Sequence, residues 1–298
     1  MIYRRFVNIL FIVLLLLLCN VPLSLSLPNA SIDQSDIQQP LGDGTMNRWA
    51  VIIGVGINPH QYIYCRRDTR DLYNLLIQNG WADDHIILLL EEEATREKIL
   101  NVFQWLNESG IDEDDLLFFY SGTHGYYMED QPPIDEPDGK DEFIQPFDYD
   151  WETDDFCIRD DELAVEFSRL KTQNMAIFIE SCHSGGMLDG TSDLCASGRV
   201  VVTACDVDES GWPLVTRMHW LFAHYVIKGL RGRSDNNKDH SVSIEETYQY
   251  IRLPVMIRSA LFTIIRPKVS FQIQHPQIFD GWPTIENNEE DLKLISLT

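Results

Sequence analysis

Positive charge is scarce in this chain. Its 298 residues carry 23 Lys and Arg against 47 Asp and Glu, a formal net charge of −24. Binding a phosphate backbone needs a basic face, so nucleic acid is excluded as a partner. The acidic balance suits solubility, cationic substrates or calcium. Cysteine is sparse as well, six in all. No Cys-x-x-Cys pair and no dense cysteine spacing occur, which excludes a zinc ribbon and a disulfide scaffold. Cys19 lies in the apolar N-terminal segment. Cys65, Cys157, Cys182, Cys195 and Cys205 remain, an odd number that leaves at least one thiol free. The other four could pair in three ways or not at all. A dinucleotide loop is also missing: Gly54-Val55-Gly56 is followed by Pro59 where the third glycine belongs. No organic cofactor is expected, and there is no internal repeat.

What is present begins with a targeting segment. Arg4 and Arg5 precede an apolar run from Phe6 to Val21, ended by Pro22, and Ser24-Leu25-Ser26 offers small residues for cleavage. The rival reading is an uncleaved anchor, because apolar character continues to Leu27. Both readings keep the N-terminus inside and place the chain beyond Pro28 outside, so the protein is expected to be secreted or on the outer face of a membrane. The domain plan is then a signal peptide or anchor (1–26), a polar flexible linker (27–47), a folded domain (48–285) and an acidic tail (286–298).

Within the folded part, apolar runs at 49–55, 86–90, 116–120, 175–179 and 199–204 read as strands. Helical spacing marks 68–78, 94–106, 160–170 and 219–229, and residues 123–159 read as a long acidic loop. Continuous apolar strands alternating with helices predict an α/β fold, a mainly parallel sheet covered on both faces. In such sheets sites form at the carboxyl ends of strands. Two strands end in reactive turns: Ser121-Gly122-Thr123-His124-Gly125 and Glu180-Ser181-Cys182-His183-Ser184-Gly185-Gly186.

A thiol attacks as thiolate and needs a base. His124 on a neighbouring strand end supplies one, and the N–H groups of Gly125 and Cys182 offer an oxyanion hole. His183 adjoins Cys182 and points away from it. Other thiol chemistries fail on spacing. A tyrosine-phosphatase loop needs Arg where Leu188 stands, and a hydrolase elbow needs Gly where Glu180 stands.

These two turns resemble the His and Cys motifs of metacaspases and related caspase-like peptidases, the clan that includes legumain. The stretch Asp138-Gly139-Lys140-Asp141-Glu142-Phe143-Ile144-Gln145-Pro146-Phe147-Asp148 and the segment Ile158-Arg159-Asp160-Asp161-Glu162-Leu163 are similar to further metacaspase motifs, and the similarity runs from about Arg48 to Pro283. The resemblance implies a caspase-like three-layer sandwich and peptide-bond hydrolysis by a Cys182–His124 dyad, on protein or peptide substrates. It implies an acidic pocket for Arg or Lys, matched by Cys65, Asp68 and Glu180. A carboxylate there would pair with a basic side chain, although Asp68 could instead cap a helix. It also implies calcium, held by Asp141, Asp160, Asp161 and Asp189, where Asp160 or Asp161 could again be helix caps. Two positions depart from the family pattern: Thr123 is inserted before the histidine, and Glu180 replaces an Asp.

A second calcium candidate is independent of that family. Asp235, Asn237, Asp239 and Glu246 have EF-hand spacing, with Ser243 at position nine, but His240 stands where glycine belongs. The competing functions are a catalytically silent calcium-binding scaffold, and a legumain-like Asn-specific peptidase or transpeptidase.

Overall fold

Residues 116–122, Leu-Leu-Phe-Phe-Tyr-Ser-Gly, have no face suited to water, and all seven are buried. They form the centre of the sheet in the computed structural model, which describes residues 46–190, 194–266 and 271–297. In chain order the strands are β1 (Arg48–Gly54), β2 (Ile86–Leu90), β3 (Leu116–Gly122), β4 (His124–Glu129), β5 (Lys140–Gln145), β6 (Ile158–Arg159), β7 (Asn174–Glu180) and β8 (Arg199–Thr203). The shorter β9 (Pro213–Leu214), β10 (His219–Trp220), β11 (Ser241–Ser243), β12 (Gln277–Asp280) and β13 (Lys293–Ser296) complete the set. The main sheet has the order β12-β8-β7-β3-β1-β2. It is parallel except for β12, which runs antiparallel along β8 at one edge.

Among the described residues five α-helices cover it: α1 (Pro59–Gln78), α2 (Arg96–Glu108), α3 (Asp160–Ser168), α4 (Leu221–Lys228) and α5 (Ile244–Ile265). Side chains alternate across a strand, so each strand feeds two cores. Ala50, Ile52, Phe118 and Phe178 join Leu72 and Leu76 of α1, Phe222 of α4 and Ile251 of α5. Val51, Ile53, Phe119 and Ile177 join Ile99 and Phe103 of α2 and Phe167 of α3. The expected three-layer α/β sandwich is the observed one.

Four local expectations are corrected. Helix α1 starts at Pro59, not residue 68. Asn58 caps it by accepting from the N–H groups of His60 and Gln61, and proline suits the first turn. Asp68 is therefore mid-helix and caps nothing. Residues 123–159 are not one loop: β4, β5 and β6 form a small antiparallel sheet, and only the Pro- and Gly-rich stretch between β4 and β5 is irregular. Residues 219–229 are not one helix either, since His219 and Trp220 pair with β9 before α4 begins. At the C-terminus, the segment expected as an acidic tail returns to the fold. Strand β13 pairs with β11, and Leu292, Leu294 and Ile295 are buried.

Candidate active site

Strands β3 and β7 are hydrogen-bonded in parallel, with Gly122 opposite Glu180. The ladder extends one step further, where the Thr123 N–H donates to the Glu180 carbonyl at 3.2 Å. The inserted threonine thus continues the pairing. His124 and Cys182 each lie two residues beyond the same cross-strand pair, so main-chain register brings them to one place. A Cβ on Gly125 would lie 2.5 Å from the Cys182 carbonyl oxygen and 2.8 Å from Ser181 Oγ, so only glycine fits.

His124 and Cys182 line one cavity of about 460 Å³. Tyr64, Trp212, Pro213 and Trp220 form apolar walls, and Glu180 also lines it. The imidazole Nε2 is buried without a hydrogen-bond partner. Burial lowers the His124 pKa from its ordinary 6.5 to about 4, so the ring is neutral at pH 7 and free to accept a proton. His183 faces away from this cavity: its N–H donates to the Glu209 carbonyl at 2.8 Å, and its ring Nδ1 contacts the Val207 carbonyl oxygen at 2.7 Å.

The three residues matched to the specificity pocket separate. Glu180 reaches the cavity. Its Oε2 accepts from the Tyr120 hydroxyl at 2.8 Å and from the Ala223 N–H at 3.0 Å. Burial, reinforced by the nearby Asp68, holds its pKa well above the usual carboxylate range, against those hydrogen bonds. Asp68 does not line the cavity. It is fully buried, pairs with His219 Nδ1, and accepts from the Trp220 N–H at 3.0 Å. Cys65 lies behind the wall, accepting from Trp220 Nε1 at 3.2 Å and donating to the Val55 carbonyl at 3.3 Å. Asp68 and Cys65 thus fix the β9–β10 hairpin, and Glu180 alone of the three faces the space. None of the five cysteines among the described residues forms a disulfide.

The acidic cluster forms at the far end of the β4–β5 hairpin. Glu136, Asp141 and Asp160 are buried and can each place an oxygen within 4.8 Å of the others. Asp189 joins through a hydrogen bond with Glu136. Asp161 joins through Arg159, whose Nη1 lies 2.6 Å from Asp141 and 3.0 Å from Asp161. Neither Asp160 nor Asp161 is a helix cap, since both lie inside the first turn of α3 and Arg159 precedes them. Buried oxygens of Asp130, Asp141 and Asp161 have no hydrogen-bond partner. Burial raises the Asp161 pKa, Arg159 opposes this, and Asp141, Asp135 and Asp130 add to it. Hard oxygen donors with unsatisfied lone pairs fit a calcium ion. The sequence reading missed Glu136 and Asp130, which stand in the same acidic stretch.

The EF-hand-like loop does not gather its ligands. Asp239 is salt-bridged to Lys293 at 2.8 Å and accepts from Ser241. Glu246 accepts from the N–H groups of Asn236 and Ser243 in a capping box at the start of α5. Asn237 accepts from the Asp239 N–H at 2.8 Å. Lys293 neutralises Asp239 alone, and a buried Asp235 oxygen has no hydrogen-bond partner. Among the described residues the only set of three or more carboxylates close enough to share a metal is the one around Asp141.

Residues 48–191 match the family model for the metacaspase, peptidase C14 domain. The chain is 37% identical to metacaspase-1 of Candida albicans over 134 residues, 41% of this chain and 29% of that protein. It is 31% identical to metacaspase-1 of Saccharomyces cerevisiae over 182 residues, 56% of this chain and 41% of that protein. It is 32% identical to metacaspase-3 of Arabidopsis thaliana, over 51% of this chain and 43% of that protein. The chain thus spans less than half the length of these relatives. The crystal structure of caspase-1 from Spodoptera frugiperda has the same fold, with a TM-score of 0.55 at 15% identity, over 81% of this chain and 92% of that one. Residues 48–191 are thus similar to the peptidase domain of metacaspases, and the fold is the caspase-like one.

Proposed function

We propose that the chain is a cysteine endopeptidase that cleaves after basic residues, with Cys182 as nucleophile and His124 as its base. The observation that carries this is the common cavity: the thiol and the unpartnered imidazole stand at equivalent steps of paired strands, with a carboxylate lining the same space. The neutral His124 accepts the thiol proton as Sγ attacks the carbonyl carbon, and returns it to the leaving amine. The N–H groups of Cys182 and Gly125 receive the oxyanion. Water then resolves the thioester. Glu180, ionised by an incoming cation, pairs with an Arg or Lys side chain.

Calcium belongs to this proposal. Asp141, Asp160, Asp161 and Asp189, with Glu136, would hold it and cancel their mutual repulsion. Secretion, or display on an outer membrane face, rests on the N-terminal segment, which lies outside the described residues. The test is hydrolysis of fluorogenic peptides ending in Arg, Lys, Asn or Leu by the mature domain with calcium, with Cys182→Ala as control. Cys182-dependent cleavage after Arg or Lys is expected. Cleavage only after Asn would favour a legumain-like specificity. Equal signals from both proteins would reduce the chain to a silent scaffold.

A further inference from the structure

His124 is a wall between spaces. Besides the cavity it shares with Cys182, it lines two others, of about 270 and 320 Å³. Cys182 lines neither of these. Both are bounded by Tyr149 and Trp151, the larger also by Tyr126 and Asp154, and the smaller by Ile57 and Phe147. Trp151 is 59% exposed, although it meets the His124 ring edge-on at a centroid distance of 6.3 Å.

The segment that carries this tryptophan is built in place. Tyr149 donates its hydroxyl to Asp154 and meets Trp151 edge-on at 5.1 Å. The Asp154 N–H donates to the Asp150 carbonyl at 2.9 Å, and the Phe147 N–H to the Ala94 carbonyl at 2.9 Å. An exposed aromatic surface held ready in this way lies open to a ligand at no ordering cost.

We infer that this aromatic shelf is the subsite for the residue just after the scissile bond, and that it selects an apolar side chain. The inference rests on the peptidase reading. The acyl carbon sits at Cys182 Sγ, and the leaving nitrogen must lie where His124 can protonate it. The chain beyond that nitrogen therefore continues on the His124 side away from Cys182, where the two aromatic-lined spaces are. The carboxylates of Asp150, Glu152, Asp154 and Asp155 on this segment disfavour an acidic residue there. In the reverse sense, the same shelf binds the amine that resolves the thioester, so apolar amines are the preferred acyl acceptors. In that step the acceptor nitrogen forms the new amide, Sγ leaves as the thiol, and His124 carries the proton from amine to sulfur.

The experiment compares quenched peptides that are identical up to the Arg and carry Leu, Gly or Asp after it. An Arg-ended fluorogenic amide, whose aromatic leaving amine takes the place of the shelf residue, serves as the reference for Cys182-dependent activity. Wild type is expected to prefer Leu over Gly about tenfold in kcat/KM, and Leu over Asp by more. In Trp151→Ala the Leu-to-Gly ratio is expected to fall towards one, and Trp151→Phe to restore most of it. A purely structural role for Trp151 would scale all substrates together and leave the ratio unchanged, which overturns the inference. A wild-type ratio of one overturns it too. Absence of Cys182-dependent cleavage of any substrate, the reference amide included, removes the peptidase reading and the shelf with it.

Discussion

At the scale of single residues, the site depends on two local features. Partial burial of His124 fixes its protonation: a histidine with a pKa lowered to about 4 stays neutral as pH falls through 6 and charges only below that. In the proposed substrate complex, kcat is expected to fall only as pH drops towards 4. A pH–kcat profile breaking near 6.5 would show that substrate binding rehydrates the ring. Side-chain atoms are excluded from Gly125. Its missing Cβ is occupied by the Cys182 carbonyl. Gly125→Ala must move one strand end against the other, and overpacking of this kind costs about 1–3 kcal/mol. The variant is expected to lower the melting temperature by several degrees and to lose at least tenfold in kcat, by calorimetry and steady-state kinetics. His124→Ala is expected to retain the stability and lose 10²-fold or more in kcat.

At the scale of elements, the β4–β5 hairpin links two chemistries. Register pairs His124 with Gln145 at one end and Met128 with Asp141 at the other. Asp141 of the acidic cluster therefore stands on the strand paired with the one that carries His124, and in the proposed function a cation held at Asp141 would stiffen that pair. Saturating calcium, at about a hundredfold over its Kd, is expected to stabilise the domain by about 2.7 kcal/mol. Asp141→Asn or Asp160→Asn should abolish that gain in thermal melts, whereas Asp235→Asn should keep it. The opposite pattern would assign calcium to the Asp235–Glu246 turn instead.

This scale also shows what a sequence can and cannot carry. The buried strands were legible because runs such as Phe118-Phe119-Tyr120 satisfy no other structure, and the two reactive turns were legible because they close such runs. The first half of α1 was not. Its Tyr62, Tyr64, Arg66 and Arg67 show no apolar stripe, because part of that half faces the cavity. Strands β4 and β5 were hidden by their charges: Lys140, Asp141 and Glu142 look like a loop until Asp141 and Glu142 are seen buried beside Arg159 and Gly186. Asp68 was placed in the pocket because motifs record position and not partners. Its partner, His219, lies 151 residues away in a hairpin that no local pattern announced. For the same reason the EF-hand spacing misled: the lysine that satisfies Asp239 is Lys293, on a strand read as tail.

At the scale of the whole molecule, charge and core act separately. The chain's net charge of −24 favours the approach of cations from a distance. For a peptide rich in Arg or Lys, kcat/KM is expected to fall as salt rises from 20 to 500 mM, while kcat holds steady, and a neutral peptide should show neither change. The core is divided between the two faces of one sheet. Phe119→Ala on one face and Phe178→Ala on the other should each cost about 3–5 kcal/mol in denaturant melts. The two losses should add less than perfectly, because the rings sit on neighbouring paired strands.

The hydrogen-bonded step between Gly122 and Glu180 has an evolutionary consequence. A reactive pair aligned by backbone pairing asks little of the surrounding chain beyond two strands kept side by side and Gly125, which lets them meet. Hairpins, rims and surface segments can then be rewritten, and specificity with them, while thiol and imidazole keep their appointment.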